Sequence, residues 1–142
     1  MTDQARRILL GILLLGVIGI SAELLLLSHT EDASQWIPLV LNDAVVVMSA
    51  VVVFKPSSAA IRLFQVVMLL MILCGAVGMY LHLQANMEFQ LEMDATLHGW
   101  ALLKKSVVAK APPALAPGAM IQLVLIGLAY TFKHPALATP KL

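Results

Sequence analysis

The sequence predicts an all-α, polytopic membrane protein: four transmembrane helices in a bundle, with an extracytoplasmic interfacial helix between the third and the fourth. Three observations carry this expectation. Of 142 residues, 61% are hydrophobic and only 12% are charged, against roughly 25% charged in a soluble domain, and the mean hydropathy is +0.93. Four apolar runs approach the roughly 20 residues that a helix needs to cross a bilayer. Backbone groups in lipid must be satisfied within their own segment, which selects helices, and the alternating strand pattern of an outer-membrane barrel does not occur.

The expected spans are residues 8–28, 36–54, 60–83 and 117–132 of one membrane domain covering 1–142. In the first, QARR precedes the apolar core and ISA before Glu23 resembles a leader-peptidase site. The run resumes at once with LLLL, so a retained span is expected. HTEDASQ separates the first span from the second, and Lys55-Pro56 ends the second, because the residue before proline disfavours helix. The third span carries small residues in CGAVG at 74–78, as GVIG at 16–19 does in the first, where helices can approach closely. The fourth is preceded by AKAPPALAPG, whose prolines predict a stiff irregular entry.

Between the third and fourth spans lies an outer cap, 84–116. Phe89, Met93, Leu97 and Trp100 recur at helical spacing as an apolar stripe flanked by Glu88, Glu92, Gln90 and Asp94. Lys104, Lys105 and Lys110 follow, within reach of lipid phosphates. Orientation rests on the cations. Arg6, Arg7, Lys55, Arg62, Lys133 and Lys141 fall on one side and the three cap lysines on the other. The excess belongs in the cytoplasm, so both termini are expected inside, in an arrangement common for a bacterial inner membrane.

Composition also narrows the function. A formal net charge of +1 with scattered cations offers no basic face, so nucleic acid is not an expected partner. Cys74 is the only cysteine, which excludes an intramolecular disulfide and a thiolate cluster. No GxSxG elbow, phosphate-cradling glycine loop, HExxH or Glu-x-x-His pair is present. Catalytic residues are therefore not assigned, and an enzyme is not the first expectation.

Ionisable and amide groups within the spans are the best pointers to a site, because each is costly in lipid. Glu23, Asn42, Asp43, Tyr80, His82 and Gln122 all fall in the outer part of the four spans. Together they define a candidate ligand- or proton-binding cluster. A weaker metal set is His29, His82, Glu88, Glu92, Asp94 and His98. On one continuous helix its pairs would point three ways, so it requires a break in the chain. Haem ligation would draw on His29 and His82, with Met79 or Met120 as thioether partners. The cofactor itself is not specified by the sequence.

The first functional expectation is a non-enzymatic subunit or oligomeric scaffold of a membrane assembly, with the lipid bilayer and copies of itself or other membrane subunits as partners. The alternative is a transporter or binding protein for a cation, a proton or a small polar ligand, using the buried polar cluster. A metal- or haem-dependent membrane enzyme is the third.

Overall fold

The computed structural model describes residues 1–109 and 114–138. These form α1 (Asp3–Leu26), α2 (Trp36–Phe54), α3 (Ser58–Met93), α4 (Gly99–Val107) and α5 (Leu115–Thr131), with single turns of tighter helix at Ala33–Gln35 and Pro135–Leu137. The described chain is all-α. Three helices, Asp3–Leu26, Ala33–Phe54 and Ser58–Met93, are long and apolar enough to cross a membrane. α5 is a shorter apolar helix of 17 residues, about 26 Å long.

Four helices close a ring. α1 packs on α2, α2 on α3, α3 on α5 and α5 on α1, whereas the diagonal pairs make no close backbone approach. Short connections set sequence neighbours antiparallel. The α1–α2 loop, the far end of α3 and the start of α5 therefore share one end of the bundle. Leu13, Val17, Val45, Ile61, Phe64, Met68, Met71 and Val124 fill the centre with no exposed surface.

Much of the outside is apolar as well. Leu15, Leu26, Phe54, Leu73 and Leu125 are exposed, Leu26 by 85%. Lipid-facing helices need no polar exterior, whereas an apolar surface this continuous in water marks an interaction face.

Helix ends differ from the sequence expectation by recognisable local chemistry. α1 starts earlier because Thr2 Oγ1 accepts from the Ala5 N–H at 3.2 Å, a side-chain N-cap. It ends at Leu26, where Ser28 turns left-handed at φ 54°. Ser57 caps α3 by accepting from Ala60 N–H at 3.1 Å. Residues 110–113 of the proline-rich entry lie outside the described residues. α5 then begins at Leu115, with Pro117 in its first turn, where a missing N–H breaks no helical bond.

The cap corrects one expectation. α3 does not stop at residue 83 but continues to Met93, 36 residues in all, about 54 Å against a hydrocarbon core of about 30 Å. Asp94 ends it: Oδ1 accepts from the Thr96 N–H at 3.0 Å and from the Thr96 hydroxyl at 2.6 Å. The stripe from Phe89 to Trp100 is thereby divided between two helices. α4 folds back on α3, burying Leu102 and Ser106, and Asn86 Nδ2 donates to the Ser106 carbonyl at 3.1 Å.

Candidate functional site

The polar residues singled out by the sequence do not form one cluster. Asn42 is fully buried, and its Nδ2 donates to Ser21 Oγ of α1 at 3.0 Å. Its Oδ1 has no partner among the described residues, nor has the buried Ser49 hydroxyl one turn pair further along α2. Glu23, Asp43, Tyr80 and Gln122 instead lie on exposed surface. Tyr80, 64% exposed, borders a shallow depression with Gln84, Met87 and Glu88 along α3.

Asp43 has the more telling position. At about 100° per residue, Trp36, Val40, Asp43, Val47 and Phe54 fall on one side of α2. All five are exposed. The opposite side, Leu39, Asn42, Val45, Met48, Ser49 and Val52, is buried. Asp43 thus points away from the bundle, in the middle of an otherwise apolar face.

His29 and His82 are the pair that does meet. Their rings stack with centroids 6.5 Å apart and planes 19° from parallel, across the gap between the α1–α2 loop and α3. The loop is held by local bonds: Gln35 Oε1 accepts from Glu31 N–H at 2.8 Å, and Trp36 Nε1 donates to the Thr30 carbonyl at 3.2 Å. Glu88, Glu92, Asp94 and His98 are not brought to this pair. Among the described residues no group of three or more His, Cys, Asp or Glu side chains converges as a metal site. His98 is engaged locally, its Nδ1 lying 2.8 Å from the Thr96 carbonyl. The Asp94 carboxyl is held below its usual range by the Thr96 hydroxyl, then by the Thr96 N–H and the charge of Lys105.

Beneath the histidines a crevice of about 570 Å³ runs between α2 and α3. Ile37, Leu41, Leu73 and Val77 form its sides, while Ile20 and Leu24 of α1 and Pro117 and Met120 of α5 form its back. His29, Ser34, Gln35 and His82 supply polar groups at its outer mouth. His82 stands out in the sequence but the crevice does not, because a cavity depends on how four helices diverge rather than on residue type.

The opposite end of the bundle holds an arrangement that charge counting alone does not show. The buried Arg6 guanidinium donates to the carbonyls of Lys133 at 2.8 Å and Phe132 at 3.5 Å. It also reaches Met1 O at 3.1 Å and Asp3 Oδ1 at 3.3 Å. The cation binds the carbonyls that directly follow α5, at the end where the helix dipole is negative. In the lower half, Gln65 Nε2 donates to Thr131 Oγ1 at 3.0 Å, joining α3 to α5.

The architecture defines a class: an all-α protein built around apolar helices of membrane-spanning length. Beyond that class, no family model, curated protein or solved structure matches the chain.

Proposed function

We propose that the chain is a four-span subunit of a membrane assembly, with both termini on the cytoplasmic side of a bacterial inner membrane, and that it acts by binding a partner helix rather than by catalysis. The observation behind this reading is the outward position of Asp43 among Val40, Val47 and Phe54. Seven residues after the start of α2, its carboxyl lies about 10 Å inside the helix end. A carboxylate facing hydrocarbon costs roughly 2.5–3.5 kcal/mol on insertion scales. A neighbouring helix that brings a lysine, arginine or amide to that depth removes most of this cost. A second copy would set Asp43 against Asp43 and require a shared proton, so a different, cation-bearing chain is the favoured partner.

Other features support the reading. Gln122 is likewise exposed on apolar α5, beside Leu115 and Leu125. The excess of six cations over three favours the Arg6–Lys133 end as the cytoplasmic one. In this orientation α4 lies at the outer surface, with exposed Trp100, Lys104 and Lys105 at headgroup level.

Purification from the native membrane followed by native mass measurement tests the proposal. The wild-type chain is expected in a complex heavier than its own 15.3 kDa. Asp43→Leu should release a folded monomer, and Asp43→Asn should weaken the complex less. A wild-type chain that emerges alone, with no companion or second copy, contradicts the proposal.

A further inference from the structure

The crevice beneath His29 and His82 is independent of the Asp43 face, since α2 presents Ile37, Pro38 and Leu41 to it and Asp43 elsewhere. We infer that it binds a membrane quinone, with the flat head between the two imidazoles and the isoprenoid tail along α2 and α3. The volume of about 570 Å³ falls within the roughly 300–1,000 Å³ of small-molecule sites. Lining residues run from His82 down to Leu70, twelve residues or about 18 Å of helix. That is close to one leaflet of a hydrocarbon core about 30 Å thick, so the crevice is long enough for a lipid tail. Its rim residues Ile37, Leu73 and Val77 are exposed, which lets a tail enter sideways from the bilayer.

The mouth selects the head. Among the described residues lining the crevice there is no Asp, Glu, Lys or Arg. An anionic headgroup would therefore lack a fixed counter-charge, and so would a cationic one. With the two imidazoles serving as stacking faces, the hydrogen-bond donors at the mouth are the Ser34 hydroxyl and the Gln35 amide nitrogen, which suits a neutral head with carbonyl acceptors. The near-parallel ring centroids are 6.5 Å apart, about half an ångström short of two stacking contacts of roughly 3.5 Å each, so a flat ring enters between them after a small widening and a bulky head does not. Flatness is thus favoured as well as neutrality. Binding alone is inferred, with no electron transfer.

Decylubiquinone titrated into the Trp100→Phe protein in nanodiscs tests this through the fluorescence of Trp36, the residue after Gln35. Saturable quenching is expected, at least tenfold weaker in the His29→Ala, His82→Ala double variant and absent in Cys74→Phe, which fills the channel. The double change sits at the mouth and leaves the core intact, so it reports on the site even where Cys74→Phe disturbs packing. Asp43→Leu should bind as the wild type does, which separates this site from partner binding. The inference fails if quenching does not saturate, if the histidine double variant binds normally, or if decanoic acid or decanol competes as well as the quinone does.

Discussion

Arg6 and Lys133 join the two ends of the chain: the guanidinium of the first helix donates to the carbonyl that follows the last, at 2.8 Å. Hydrogen bonds to a charged donor contribute about 1.5–3 kcal/mol each, and the Arg6 side chain is buried. Arg6→Ala should lower stability by about 2–3 kcal/mol, read as a drop in melting temperature in detergent. Arg6→Lys should recover less than half, because a single ammonium lacks the fork that spans two carbonyls. Asp3→Asn should matter little, since its partner oxygen lies on an exposed side chain.

Gly75 lets α3 pack against the α5 backbone at Pro117. A Cβ at Gly75 would lie 2.9 Å from the Pro117 carbonyl oxygen and 2.8 Å from Ile121 Cγ1. Backbone cannot swing aside as a side-chain tip can. Gly75→Ala should therefore cost about 1–3 kcal/mol as overpacking, whereas Gly19→Ala, which meets open space, should be neutral or slightly stabilising. Equal melting temperatures for the two variants would contradict this packing.

The helices of the bundle were legible in the sequence because apolar runs stop at strong signals, such as Pro56 and Ser57 before α3. The length of α3 was not. Beyond His82 the chain turns polar, but Leu83, Gln84, Ala85, Met87 and Glu88 are good helix formers, and nothing breaks the helix until Asp94 bonds Thr96. Polarity marked the exit from an apolar environment, not the end of the helix. The direction of each polar side chain was also hidden. In α2 both faces are valine-rich, so hydrophobic periodicity does not distinguish buried Asn42 from outward Asp43.

Asn42 and Ser21 link α2 to α1, and the value of that link is small. Interhelical hydrogen bonds in membranes average about 0.6 kcal/mol, and Asn42 Oδ1 is buried without a partner among the described residues. Asn42→Leu removes the bond but also the orphaned oxygen. Its stability should stay within about 1 kcal/mol of wild type. Asn42→Asp, which places a carboxyl in the same dry position, should be clearly destabilising above neutral pH. Loss of fold in Asn42→Leu would show that the amide contributes more than this one bond.

His134 should make the stability of the Arg6–Lys133 end depend on pH. Its imidazole is held below the usual range first by burial and then by the positive charge of Arg6, opposed weakly by Asp3. Its Nδ1 also accepts from the Ala136 N–H at 3.2 Å, which requires that nitrogen to be unprotonated. Above about pH 7.5 the folded and unfolded chains both hold a neutral ring, and the residue contributes no pH dependence. As the pH falls through 6.5, the unfolded chain takes up a proton that the folded chain still refuses, so stability declines. The decline ends only below the folded value. Melting temperature should therefore fall between pH 8 and pH 5.5, and more steeply in wild type than in His134→Asn. Asparagine keeps an acceptor for the turn at Pro135–Leu137 but does not titrate, so the difference between the two pH profiles isolates His134 from His29, His82 and His98. Superimposable profiles would show that its burial has no effect on folding.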